Sequence, residues 1–230
     1  MPSLVLIPGL LCDQRLWRHQ IAGLRSRAEI IVADVTQQST LSEMATAVLE
    51  RAPAQFALAG FSLGSQVALE LLRTAPHRVH RLALLSATHG GLLPPVQSAL
   101  RAAIATLGQG GFEQYLEAAY PTYVAASRAA DPLLKRSFLA MAYAVGPAAG
   151  VRQMQALLAI DAPFSNLDQI RVRTLIVGGQ EDRRTPPAAH AVLAREIPGS
   201  ELVIIPEAGH FTPLEQPEWV TRLLQDWITG

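Results

Sequence analysis

A chain of 230 residues, half of them hydrophobic, is long enough to bury a sizeable core within one compact domain. Its 19 basic and 19 acidic residues cancel, which leaves no electrostatic footprint for nucleic acid or an anionic membrane surface. The single cysteine, Cys12, excludes an internal disulfide and a cysteine-rich zinc site, and it fits a reducing cytoplasm.

The apolar start, Met1–Pro8, lacks a basic leader and a cleavage site, and Pro8-Gly9 interrupts it, so Ser3–Ile7 reads as a buried strand. No apolar run reaches bilayer length. Asp13–Ala28 then places Leu16, Trp17, Ile21 and Leu24 on one helical face, and Glu29–Val35 is a second strand. Thr40 and Glu43 form a capping box ahead of Met44, Val48 and Leu49, and Pro53 closes that helix. A third strand, Gln55–Phe61, leads into a helix over Leu63–Ala75, and Arg81–Ser86 is a fourth strand. Both faces of these strands are apolar, the mark of a parallel sheet covered by helices on each side.

The alternation breaks over residues 89–165, which read as helical with interruptions near Gly108–Gly111, Ala129–Pro132 and Gly146–Gly150. It resumes with strands at Arg173–Val177 and Glu201–Ile205 and helices at Pro187–Ile197 and Pro217–Ile228. The fold class is therefore α/β, with a core of residues 1–88 and 166–230 interrupted by a helical insertion, residues 89–165, placed to fold back as a lid.

Gly60-Phe61-Ser62-Leu63-Gly64 sits where the third strand turns into a helix. A serine there is held in a strained turn with its hydroxyl above the sheet's carboxyl edge, and small residues two before and two after it let strand and helix approach. A serine hydroxyl needs an adjacent base, and the base needs a third group to orient it. Of six histidines, His210 follows the last strand in a loop at the sheet's carboxyl end, and Gly209 lets the chain turn so that its imidazole points back over the sheet. The acid should leave the end of the preceding strand, where Asp182 competes with its neighbour Glu181 and, more distantly, with Asp161 of the insertion. The shorter Asp182 is preferred, and the order Ser62, Asp182, His210 suits a nucleophile on a strand–helix turn.

At these residues the chain resembles the α/β-hydrolase superfamily over its whole length, in particular its small lidded bacterial esterases and hydrolases. The landmarks are Pro8-Gly9-Leu10-Leu11 with Trp17, the Gly60–Gly64 turn, Gly178–Asp182 with Thr185-Pro186, and Gly209-His210 with Pro213-Leu214-Glu215-Gln216-Pro217. The resemblance implies a mostly parallel sheet, here of six strands because the chain starts at the first parallel one. It also implies an oxyanion site made by the backbone N–H of Leu63 and of Leu10 or Leu11. Pro8-Gly9 replaces the His-Gly of many members, which keeps the amide and alters the wall beside it.

The expected activity is hydrolysis of a small, largely apolar carboxylic ester through an acyl-enzyme on Ser62, without metal or organic cofactor, by a cytoplasmic monomer or homodimer. Trp17, His89 and Phe211 are candidate pocket residues, and the aromatic and methionine residues of the insertion (Phe112, Tyr115, Tyr120, Tyr123, Phe138, Met141, Tyr143, Met154) favour an apolar substrate. The insertion's near balance of Arg101, Arg128, Lys135, Arg136 and Arg152 against Glu113, Glu117, Asp131 and Asp161 argues against a polyanionic substrate. Arg152 reads as a solvated cation or a partner for Asp161 ahead of a holder for a substrate carboxylate, and Cys12 as a small buried apolar residue ahead of a pocket-lining one. The same triad also serves lyases and carbon–carbon bond hydrolases, and it persists in hydrolase-like binding proteins.

Overall fold

The computed structural model describes residues 1–160, 162 and 164–230. Asp161, weighed above as an acid and as a partner for Arg152, lies outside the described residues. Strand β1 (Ser3–Ile7) is followed by a 3₁₀ turn, Gln14–Trp17, and helix α1 (Arg18–Leu24). This replaces the single helix expected over Asp13–Ala28, because Asp13 caps the 3₁₀ turn through its side chain and the chain tightens before α1 begins. Strand β2 (Glu29–Val32) and helix α2 (Leu41–Arg51) follow, and the Thr40–Glu43 capping box is formed in both directions.

Strand β3 (Phe56–Phe61) enters helix α3 (Leu63–Thr74), and β4 (Val79–Leu85) completes the first half of the sheet. Four helices lie between β4 and the next strand: α4 (Pro94–Gly108), α5 (Phe112–Tyr123), α6 (Pro132–Val145) and α7 (Pro147–Leu158). Three of the four begin on proline, whose fixed φ and missing N–H suit the first helical turn. Strand β5 (Arg173–Gly179), helix α8 (Pro187–Glu196), strand β6 (Glu201–Ile205), the short helix α9 (Thr212–Glu215) and α10 (Pro217–Thr229) close the chain.

The six strands pair in the order β2-β1-β3-β4-β5-β6, all parallel. Alternate strand residues feed two apolar clusters. Leu4, Leu6, Ala59, Phe61, Leu85 and Val177 face α1, α10 and the α4–α7 helices. Val5, Ile7, Leu58, Leu84 and Ile176 face α2, α3 and α8. The α4–α7 helices therefore bury their apolar stripes in the same cluster as one sheet face. Strand order reverses between β1 and β3, and the crevice outside the carboxyl ends of strands at such a switch is where open α/β sheets bind ligands. Among the described residues no helix is long and apolar enough to cross a membrane.

Candidate active site

Ser62 occupies the turn between β3 and α3 with φ 52° and ψ −113°, a conformation that L-residues avoid. The flanking glycines are needed for approach. A Cβ on Gly60 would lie 2.3 Å from the Gly64 carbonyl oxygen, and one on Gly64 would lie 2.2 Å from that of Ile7. Strand β1, strand β3 and the start of α3 thus converge beneath the serine.

Ser62 Oγ lies 2.9 Å from His210 Nε2, and His210 Nδ1 lies 2.8 Å from Asp182 Oδ2. Asp182 Oδ1 accepts the backbone N–H groups of Arg184 and Thr185, each at 2.8 Å, and Thr185 Oγ1 donates to Oδ2 at 2.5 Å. Burial alone would raise the Asp182 carboxyl. The charge of the imidazolium and the hydrogen bonds from His210 and Thr185 more than reverse this and hold it at about 2. Asp182 is then a fixed anion that accepts from Nδ1 and so orients the ring with Nε2 toward the Ser62 hydroxyl.

Glu181 points elsewhere: its Oε2 accepts the N–H of Ala126, in the turn after α5. The His210 loop is held from three sides. Ser86 Oγ donates to the His210 carbonyl at 2.7 Å, and Tyr123 O accepts the N–H groups of His210 and Phe211. The buried Glu215 carboxylate accepts the N–H of Gly209 and of Ala125. Gly209 has no left-handed φ, so backbone conformation is not what requires a glycine there. It is glycine because a Cβ would lie 2.4 Å from the Val124 carbonyl carbon, where the end of α5 packs on the loop.

Leu11, one of two candidates for the first oxyanion amide, is excluded because its N–H donates to Gln153 Oε1 on α7 at 2.9 Å. The Leu10 and Leu63 N–H groups make no hydrogen bond among the described residues. Leu63 is also the first residue of α3, where the helix dipole favours negative charge.

A cavity of about 310 Å³ opens onto this array, lined by Ser62, Leu63, His89, Thr185 and His210 together with Leu92, Leu93, Val96, Leu100, Leu157 and Ile160. His89 is placed in its wall as expected, whereas Trp17 and Phe211 are not. Trp17 is fully buried with its ring edge-on to Phe61, and Phe211 is stacked between Phe61 and Tyr123, behind the imidazole. Tyr120, Tyr123 and Phe138 of α5 and α6 likewise turn inward onto this stack, whereas Tyr143 is exposed and pairs with Phe112. The cavity's apolar wall comes instead from the loop after β4 and from α4 and α7. Arg152 donates to the Thr36 carbonyl, tying α7 to the loop after β2. Cys12 is buried outside this cavity, and burial and the Asp13 charge push its thiol up, away from nucleophilic use. Among the described residues no cluster of three or more His, Cys, Asp or Glu is arranged to hold a metal ion.

Three supporting residues carry no local sequence signal, Ser86, Gln153 and His190, while Thr185 and Glu215 fall within the landmarks quoted above but were given no role there. His190 is wholly buried, donates from Nδ1 to the Pro186 carbonyl and accepts the Ala87 N–H at Nε2, so it clips the loop after β4 to the start of α8. Glu215 offers a direct test. In Glu215→Gln the carbonyl oxygen can stay where Oε2 accepts from Ala125 and Gly209, but an NH₂ replaces Oε1 and faces the Gly209 N–H, donor against donor in a buried site. We expect a loss of about 1–3 kcal/mol, or roughly 2–12 °C in Tm. An unchanged melting curve would remove Glu215 from the support of the loop.

The profile of the alpha/beta hydrolase fold family matches residues 2–217. The pimeloyl-[acyl-carrier protein] methyl ester esterase of Aromatoleum aromaticum is 27% identical, the alignment covering 100% of this chain and 99% of that one. A Klebsiella pneumoniae protein provisionally assigned as carbamate hydrolase RutD is also 27% identical, over 100% of this chain and 92% of its own. Among solved structures, the enol-lactonase of Burkholderia xenovorans superposes with a TM-score of 0.89 at 20% identity, covering 100% of this chain and 92% of that one.

Proposed function

The chain belongs to the alpha/beta hydrolase fold family, and on that premise we propose that it is a serine hydrolase cleaving a small, largely apolar carboxylic ester through an acyl-enzyme on Ser62. The observation that carries this reading is the continuous hydrogen-bonded chain from Ser62 through His210 to Asp182, opening into an apolar cavity. The ester-type substrates in the names of the relatives support the same reaction class.

Ser62 Oγ attacks the acyl carbon while His210 Nε2 takes its proton. The carbonyl oxygen, now carrying the charge, is received by the Leu10 and Leu63 amides, each worth on the order of 3 kcal/mol to the transition state. Collapse expels the alcohol, protonated by His210, and leaves the acyl group on Ser62. Water, deprotonated by His210, then releases the acid and restores the serine. Every proton is handled by one imidazole, and the charge that orients it never leaves Asp182.

Two measurements test this. With 4-nitrophenyl acetate, a burst of 4-nitrophenol followed by slower turnover is expected from acylation and deacylation in sequence; a preparation that binds the ester without releasing alcohol overturns the proposal in favour of a binding protein. The Asp182 carboxyl, held down to about 2, stays ionised between pH 5 and 8 and so contributes no step to the pH profile there. The neutral imidazole of His210 is the base, so kcat/KM should rise with pH across that window. A profile flat from pH 5 to 8 removes His210 from that role.

A further inference from the structure

Arg184 is the one Lys, Arg, Asp or Glu side chain lining the cavity among the described residues, and the reaction proposed above leaves it unused. Arg184 lies two residues beyond Asp182, and its backbone N–H is fixed on the Asp182 carboxylate. Its guanidinium carbon sits 4.1 Å from the centroid of the Tyr123 ring, and that ring lies 5.5 Å from the ring of His210. One aromatic ring therefore separates the cation from the base.

The side chain is held without being neutralised. Nη1 donates to Thr122 Oγ1 at 3.2 Å, and no carboxylate among the described residues pairs with the guanidinium. Stacking over Tyr123 occupies the face of the guanidinium and leaves the other N–H groups on its edge. Of the other polar groups of the wall, His89 keeps an unpartnered Nδ1 but no fixed charge, and two more are already engaged. The Gln66 amide is spent on the Thr88 carbonyl and hydroxyl, and the Thr185 hydroxyl on Asp182. Leu92, Leu93, Val96, Leu100, Leu157 and Ile160 give the cavity a largely apolar wall, and a half-buried cation beside such a wall attracts an anion more strongly than one in open water.

We propose that Arg184 is a subsite for a carboxylate carried by the substrate, so that the preferred esters bear one negative charge a short apolar chain away from the scissile carbonyl. A planar guanidinium edge matches a carboxylate through two parallel N–H bonds. One such cation fits a monoanion, in keeping with an insertion whose charges nearly balance. The inference rests on the ester-hydrolase reading of the same site and assigns the substrate class within it.

The carboxylate could sit on the acyl or on the alcohol part, and the test separates them. In one arm, kcat/KM is measured for the monomethyl and dimethyl esters of succinic, glutaric and adipic acids. In the other, acetate esters of short ω-hydroxy acids are compared with n-alkyl acetates of equal length. The wild-type protein should favour the charged member at one chain length in one arm by at least tenfold. Arg184→Gln should remove that preference mainly through KM, and Arg184→Lys should restore part of it. A preference for neutral esters in both arms overturns the subsite, as does an Arg184→Gln variant that loses charged and neutral esters in equal proportion. In both outcomes neutral-ester turnover continues. Absence of turnover on every ester, with no fluorophosphonate labelling of the wild-type protein, instead sinks the ester reading itself.

Discussion

Ser62→Ala should abolish ester hydrolysis and fluorophosphonate labelling together, with kcat falling by about a million-fold if the triad acts as a unit. Its Oγ is the one atom of the array placed to attack, and among the described residues it bonds only His210 Nε2. Removing it deletes the nucleophile while the amides of Leu10 and Leu63 remain, so activity should settle at the residual level those donors support. Stability should behave differently. The φ of 52° is imposed by the turn and not by the hydroxyl, and alanine inherits the strain. Glycine does not: Ser62→Gly relieves roughly 1–3 kcal/mol of backbone strain and gives back about 0.5–1 kcal/mol in chain entropy, so it should be the more stable of the two variants by about 1 kcal/mol. Both should be equally inactive. Labelling that survives in Ser62→Ala would move the nucleophile elsewhere, and equal stability of the two variants would mean that the turn stores no strain.

The same turn explains how much of the site could be read in advance. A strand ending in Gly-Phe-Ser-Leu-Gly leaves few options, because the two close approaches demand glycine and only a sharp turn supplies them. The strands carry apolar residues on both faces, so all six were visible, as were the breaks between the α4–α7 helices, where glycine and proline punctuate the chain. Contacts between residues far apart along the chain were not. Ser86 reaches the His210 carbonyl across 124 positions, and Gln153 removes Leu11 from the oxyanion pair across 142. Neither has a local pattern, since the hydrogen bond exists only once the loops are assembled. Trp17 and Phe211 failed as pocket residues for a related reason. A large ring near a motif suits a pocket wall and a core equally well, and here the stack of Phe61, Phe211 and Tyr123 behind His210 claims the space. The glycine before His210 was assigned to the turn that aims the imidazole, and the packing of the chain after α5 against it, which forbids a side chain there, was not visible.

The choice between two adjacent acids has the sharpest expected outcome after Ser62. Asp182→Asn should lower kcat by about 10⁴-fold, while Glu181→Gln should stay within about threefold of wild type. The asymmetry follows from what each carboxylate accepts. Asp182 Oδ1 takes the N–H groups of Arg184 and Thr185, so in the asparagine variant the carbonyl oxygen stays there and the NH₂ falls where Oδ2 stood. That position previously accepted from His210 Nδ1 and from the Thr185 hydroxyl. Facing a donor, the imidazole must place its own proton on Nε2, the wrong tautomer, and Nε2 can then no longer accept from Ser62. The backbone and packing barely change, so the loss should fall on kcat with KM nearly preserved. Glu181, in contrast, accepts a single N–H from Ala126, a bond that the glutamine carbonyl can keep. Fluorophosphonate labelling rates should follow the same order, because phosphonylation uses the same proton transfer. The reverse result, a crippled Glu181→Gln beside an active Asp182→Asn, would assign the acid to Glu181 and require its loop to swing away from the end of α5. Equal moderate losses would point instead to the loop's contact with Ala126, with neither carboxylate orienting the base.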